Sequence, residues 1–495
     1  MQNGNLYKYL TTKCKEKNIP IESLPGQMGF SRSSLYRYMK GITHMSPSVQ
    51  TKFVQILGLD EEEKQEFSRL VDLSEYDSGL IDARYALDRF VFGEEKSTQK
   101  KTNVIKFAYH ENDTFLRTAQ EIYEMILSAV SQPDTSCSIR IINCMDDSIF
   151  ESLGIFLEKL LSNSGTVKAE HLLTFADKAY LNNINTLINI IPLLKYKNYG
   201  VCYSKNTISN SGNMLFSDTV IIDIHQQDKP DKYFFISFLP EELSSSLMTF
   251  DKNTFNFILE NYDSFRKNFD IALLDNSSVN LVGQQIVELN ECGNSYLIKP
   301  NLCYERVPID VYQSVLKKMT PEEFETAQKS LSQPNSDSTN AITSALAGLQ
   351  KREEDSYKKQ DIDIFSVSGL TEFAQTGKLS DHMSFLPSFG KDERRKVLQH
   401  IRNRNKDPKD GYTLLITRKN IFKNGYIMVA YENIGVVIEY NQEEYQQGIL
   451  SNLLIKNKAL SDIVSDYAKN HFPDNHALSK EETTAFLDSL IEELK

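Results

Sequence analysis

The chain has 495 residues, too many for one hydrophobic core, so roughly two to four domains are expected. Hydrophobic residues make up 40% and charged residues 25%, which excludes a disordered chain. A formal net charge of −12 excludes a protein built mainly to coat nucleic acid. The charge is unevenly placed. Residues 1–57 hold eight Lys or Arg against two Glu, a local +6, so the remainder carries −18. A basic head on an acidic body is the pattern of a nucleic-acid-binding module joined to domains of another kind.

In chain order, residues 7–17 read as a first helix, with Leu6, Leu10 and Cys14 on one face and Ile19-Pro20 as its break. A short second helix is expected over 21–28. Gly29 then permits a tight turn, and Phe30 is placed to plug a core. Ser31 is placed to cap the next helix through its hydroxyl, and Gly41 to end it. Helical periodicity sets Leu35 and Tyr38 on one side of that helix and Arg32, Ser33, Tyr36 and Arg37 on the other. The outward set carries donors suited to base edges and phosphates. Pro47 opens a fourth expected helix ending near Leu57, and Asp60 caps a fifth over 61–73.

The stretch 24–41, and above all Gly29-Phe30-Ser31-Arg32-Ser33-Ser34-Leu35-Tyr36-Arg37-Tyr38-Met39-Lys40-Gly41, resembles the core of the phage-repressor (Cro/C1, or XRE) helix-turn-helix family. The resemblance covers about 70 residues. It implies that the helix after the Gly-x-Ser turn is a recognition helix entering the major groove. It also implies that Arg32, Ser33, Ser34, Tyr36, Arg37 and Lys40 form the DNA-binding set. The chain departs from the family at Pro25-Gly26, where good helix formers are usual, and at Glu22, whose carboxylate repels phosphate near the start of the second helix.

Residues 76–102 read as a connector containing one helix over 81–92. From 103 to 330 helical and strand patterns alternate, which predicts an α/β domain with a mixed sheet. Strands are expected over 104–109, 137–143, 170–175, 199–203, 220–224 and 233–238, and helices over 115–130, 149–161, 182–194 and 254–269. The region contains no Gly-rich phosphate loop, no nucleophile elbow and no paired His-x-Lys motif. Asp146-Asp147 read as helix-start caps, and the lone His171 and His225 as structural residues. The six cysteines form no CxxC, and Cys292 and Cys303 have no nearby His partner, so no metal is expected.

Residues 331–360 are polar and read as a hinge. A smaller α+β domain is expected over 361–495. Its expected parts are a basic helix over 391–404, strands over 412–417, 426–431 and 434–439 forming a small antiparallel sheet, and helices over 443–467 and 480–493. The basic helix reads as a solvated face, with a second DNA contact as the alternative. Residues 1–12 lack the apolar run of a secretory leader, and no stretch reaches the length of a membrane span, so a cytoplasmic protein without membrane attachment is expected.

The expectation is a multidomain chain with an all-α helix-turn-helix head over 1–75, then an α/β domain and a smaller α+β domain. Its function would be that of a ligand-sensing transcriptional regulator of bacterial type, with no enzyme activity and no cofactor. The partners expected are a palindromic double-stranded DNA operator, a second copy of the chain, and a small-molecule or protein effector. Two other readings stay open. One is a scaffold or antitoxin-like partner protein with a helix-turn-helix head, and the other is an enzyme targeted to DNA.

Overall fold

The computed structural model describes residues 4–40, 45–75, 78–93, 124–129, 135–143, 147–163, 166–175, 179–204, 218–226, 229–239, 244–274, 293–302, 306–325, 350, 354, 359–379, 387–407, 409–422, 426–440 and 451–495. The strand expected at 104–109, most of the helix expected at 115–130 and most of the hinge lie outside them. The chain forms two compact units, Met1–Ala86 and Leu87–Lys495.

The first unit is all helical. It contains α1 (Gly4–Glu16), α2 (Leu24–Met28), α3 (Arg32–Met39), α4 (Pro47–Leu57), α5 (Glu61–Glu75) and the start of α6 (Ser78–Phe92). Leu6, Leu10 and Cys14 recur at helical spacing along α1 and bury together with Leu24, Leu35, Phe53, Leu57 and Phe67. Pro25-Gly26 does not interrupt a long second helix. The chain takes a 3₁₀ turn at Ile21–Ser23 and restarts as the five-residue α2 with Pro25 in its first turn, where a missing N–H costs nothing. At α5, Asp60 Oδ1 accepts from the Glu63 N–H (2.8 Å) and Glu63 Oε2 accepts from the Asp60 N–H (3.1 Å), satisfying two orphan donors reciprocally.

The second unit is built on two seven-stranded mixed sheets. The first contains β1 (Thr135–Ile142), β2 (Val167–Leu173), β3 (Tyr199–Tyr203), β4 (Thr219–Gln226), β5 (Lys232–Leu239), β6 (Ser244–Thr249) and β7 (Asp270–Ile271), in the order β6-β5-β4-β1-β2-β3-β7. Helices α7 (Asp147–Asn163) and α8 (Tyr180–Ile190) make the β1–β2 and β2–β3 crossovers, and α9 (Lys252–Arg266) follows β6. Phe255, Tyr262 and Phe265 of α9 pack on Ile142, Leu172, Ile221 and Phe235. β4 is buried along its first six residues, which is why Thr-Val-Ile-Ile-Asp-Ile is a near-continuous apolar run and not an alternating one.

The second sheet contains β8 (Leu273–Leu274), β9 (Ser295–Ile298), β10 (Ile362–Ser366), β11 (Thr413–Thr417), β12 (Tyr426–Tyr431), β13 (Gly435–Tyr440) and β14 (Ser451–Ile455). Its order is β11-β10-β9-β12-β13-β14-β8. The helices are α10 (Ile309–Leu316), α11 (Val367–Thr376), α12 (Lys391–Lys406), α13 (Lys458–Asp466), α14 (Phe472–Asn475) and α15 (Lys480–Glu493). Side chains of α10, α11, α12 and α15 share one apolar cluster with Leu297, Phe365, Leu414 and Val429. Helix α13 packs on β12 and β13, where the Ser461 hydroxyl donates to the Tyr431 carbonyl (2.6 Å).

The two sheets repeat one topology. Three parallel strands with helical crossovers come first (β1, β2, β3 and β9, β10, β11). The fourth returns antiparallel beside the first, and a meander of two more follows (β4, β5, β6 and β12, β13, β14). Segment 270–274 joins them: β7 pairs with β3, β8 pairs with β14, and Ala272 between them bonds to Val201 and Leu454 (both 2.9 Å).

This topology differs from the expected layout in three places. β9, on the N-terminal side of the expected hinge, is a central strand of the second sheet. β11 pairs in parallel with β10 and has no ladder with β12, so the expected small antiparallel sheet is one flank of a larger mixed one. The single helix expected over 443–467 is instead β14 followed by α13. Leu453, Leu454 and Ile455 are all buried, and an apolar run buried on both faces carries no period that separates strand from helix.

Candidate nucleic-acid interface

Three local devices set the direction of α3. Gly29 ends α2 at φ +72°, its N–H donating to the Pro25 carbonyl. An added Cβ there meets nothing within 4 Å, so the demand for glycine is conformational. Ser31 caps α3 in extended conformation, its Oγ accepting from the Ser34 N–H (3.1 Å). Leu35 and Met39 anchor the helix in the core at 1% and 0% exposure; truncating such an anchor costs about 2–5 kcal/mol.

At about 100° per residue, Arg32, Tyr36, Lys40, Ser33 and Arg37 fall within an arc of about 140°, and all five are exposed. Tyr38, Leu35 and Met39 occupy the opposite arc, with Tyr38 against Phe30 (ring centroids 5.3 Å apart). Ser34 lies outside the exposed arc. It is half-buried, and its hydroxyl sits 2.8 Å from Ser31 Oγ within the cap. Tyr36 is 43% exposed and stacks on Tyr7 of α1 (6.1 Å), so it also ties α3 to α1. Gly41 lies outside the described residues.

Of the eight basic residues in 1–57, Lys13, Lys17 and Lys52 are tied into the bundle, and Lys8 and Lys15 of α1 are exposed, as are Arg32, Arg37 and Lys40 of α3. Lys13 and Lys17 both pair with Glu63 (2.8 and 3.1 Å). Hydrogen bonds from Lys13, then from the Asp60 backbone and Lys17, hold the Glu63 carboxyl down at about 2. Lys52 donates to the Met28 carbonyl (3.1 Å) and lies 5.1 Å from the Phe30 ring. Those three cations serve the bundle. Arg32, Arg37 and Lys40 make no side-chain hydrogen bond or ion pair with a described residue, and they share the exposed arc with Ser33 and Tyr36.

The basic helix α12 is of a different kind. Arg394 donates to the carbonyls of Ala374 and Gln375 (2.7 and 2.5 Å), Arg402 pairs with Asp488 (2.6 Å), and buried Arg404 makes a forked pair with Asp410. Arg394, Arg402 and Arg404 are thus bound within the fold, whereas Lys391 and Lys396 are exposed and Arg395 pairs with the exposed Asp392 of its own helix, as a solvated face requires.

The other chemically suggestive residues also have structural partners. His171 is fully buried, with Nε2 donating to the Asn143 carbonyl (2.6 Å) and Nδ1 accepting from the Tyr199 hydroxyl (2.9 Å). Burial lowers its pKa to about 4. His225 bridges Asp223 and Asp231 (3.1 and 3.0 Å). Asp147 opens α7, and Asp146 lies outside the described residues. The Cys137 and Cys202 thiols are pushed up to about 12, chiefly by burial, which makes them poor nucleophiles.

One cluster was not legible in sequence. Asp88 of α6, His471 and His476 bring ligand-type atoms within 4.8 Å of one another. Asp88 lies 383 residues from His471, so no spacing motif relates them. Among the described residues, no helix is long and apolar enough to cross a membrane. No family model matches the chain, and a search of curated proteins finds no match.

Proposed function

We propose that this chain is a sequence-specific DNA-binding transcriptional regulator, with Met1–Ala86 as the reading head and Leu87–Lys495 as the sensing and oligomerisation region. The observation that carries this reading is the exposed arc of α3, where three cations, a serine and a tyrosine are gathered on one helix face, while Lys13, Lys17 and Lys52 are spent on internal contacts. Guanidinium groups at such a position suit guanine edges and phosphates, and the free N–H groups of the helix start add to the attraction for phosphate. One head buries limited surface, so two copies reading a palindromic pair of half-sites is the expected arrangement. An effector acts by binding one arrangement of the two heads better than the other.

The test is selection of bound sequences from a random duplex pool, with the Arg32→Ala/Arg37→Ala protein in parallel. A paired motif enriched by the native chain and lost in the variant supports the reading. Enrichment that survives the double substitution refutes α3 as the reading element.

A further inference from the structure

Helix α13 continues through a π turn at Tyr467–His471 into α14, whose second position is Pro473, and the chain leaves the helix at His476. In an uninterrupted α-helix, residues five apart diverge by about 140°, and His471 and His476 would face different neighbours. The π turn and the helix exit bring both rings onto one carboxylate. His471 Nε2 lies 2.7 Å from Asp88 Oδ2, and His476 Nε2 lies 2.8 Å from Asp88 Oδ1. π turns occur preferentially where a site needs such a rearrangement.

The surroundings are those of a ligand set. His471 is buried, and the side chains of Asp88 and His476 are 12% and 10% exposed. Phe92 and Phe472 wall the His476 ring (centroids 4.6 and 5.5 Å). The Tyr467 hydroxyl donates to Asp88 Oδ1 (2.8 Å) and orients the carboxylate from outside the cluster. Burial raises the Asp88 pKa, but hydrogen bonds from His471 and His476 outweigh it and hold the carboxyl well below its usual range. The contrast with His171 is informative. That ring is clamped at both nitrogens. In His476, Nδ1 is buried without a hydrogen-bond partner among the described residues, and in His471 Nδ1 accepts from the Asn475 amide at 3.4 Å.

We propose that Asp88, His471 and His476 form a site for one divalent first-row transition ion, of which zinc is the type, leaving at least one coordination position open. Two imidazoles and one carboxylate match the borderline preference of such ions, and three protein ligands leave room for a water or a small anion. The ion takes the place of the two Nε2–H hydrogen bonds, each neutral ring moves its proton to Nδ1, and the Asn475 amide, whose NH2 group now donates to His471 Nδ1, must turn its oxygen toward that nitrogen. Metal–ligand bonds of about 2.0–2.2 Å in a tetrahedron set ligand atoms about 3.4 Å apart, so the 2.7 and 2.8 Å imidazole–carboxylate contacts must lengthen.

The experiment uses the full chain, stripped with EDTA. Co2+ is added with visible absorption as the readout and then displaced by Zn2+. One equivalent bound with a Kd of roughly 1 µM or tighter is expected, weakened about 100-fold in Asp88→Asn and in His476→Gln. Should either variant fail to fold, zinc-edge absorption on the unsubstituted chain decides the matter. Imidazole scattering at about 2.0 Å supports the site, and sulfur scattering at about 2.3 Å places the ion on cysteine and overturns the proposal. Binding that survives both substitutions, or no binding of either ion, also overturns it and leaves the triad as a buried hydrogen-bonded knot.

Discussion

Removing the two arginines of α3 separates recognition by this face from attraction by the head as a whole. Arg32→Ala/Arg37→Ala deletes two exposed cations per head without touching Leu35 or Met39, so the fold is retained. Where both contact phosphate, the slope of log K against log salt flattens by about 0.9 per contact, hence by about 1.8 per head and about 3.6 for a two-headed complex. Where either contacts a base edge, affinity for the selected duplex falls by about 1–3 kcal/mol per contact, and discrimination at that base relaxes. The control is Lys13→Gln/Lys17→Gln, with the same change of charge. Those lysines are tied to Glu63, and beyond about 10 Å the loss of their charge is screened at 0.1 M salt. The control should move affinity by less than about threefold and leave the salt slope nearly unchanged. The assay is fluorescence anisotropy on the selected duplex between roughly 50 and 200 mM salt. Equal losses in the two double variants refute the reasoning, because binding would then follow net charge and not the α3 arc.

Two further outcomes test the packing directly. A Cβ at Gly369 would lie 2.0 Å from the Pro300 carbonyl oxygen and 2.7 Å from the Asn301 Cα. Backbone cannot yield there, so Gly369→Ala costs about 1–3 kcal/mol or more. A Cβ at Gly26 of α2 meets nothing within 4 Å, so Gly26→Ala is neutral or stabilising by up to about 1 kcal/mol; urea unfolding that reversed this ranking would contradict the packing described. His171 is neutral in the native state, its pKa lowered to about 4 by burial, whereas the unfolded chain binds that proton near pH 6.5. Stability therefore falls as pH drops from about 6.5 to about 4, by on the order of 3 kcal/mol in total. His171→Gln should flatten that limb of the melting temperature against pH, and an unchanged limb would show that the ring is not held neutral.

Much of the head was legible because its signals are local. The Ser31 cap, the Gly29 turn, the Asp60 cap and the Leu6-Leu10-Cys14 stripe each act within a few residues. β3, β12 and the final helix were equally local. The exposed side of α3 followed from periodicity alone, but the role of Ser34 did not, since a hydroxyl's partner is chosen in three dimensions.

Elsewhere local sequence was insufficient. β9 is four residues long and is defined by β10 and β12, its neighbours in the sheet but distant in the chain. β14 shares its apolar run with any buried helix until β13 supplies hydrogen-bond partners. Helix α12 reads as a basic face until Asp410, Asp488 and the α11 carbonyls consume three of its four arginines. For this protein the sequence by itself determined elements whose period, caps and turns lie within one segment. Tertiary structure alone decided sheet membership, which cations remain free, and the meeting of Asp88 with His471 and His476, because each depends on groups that folding brings together from remote parts of the chain.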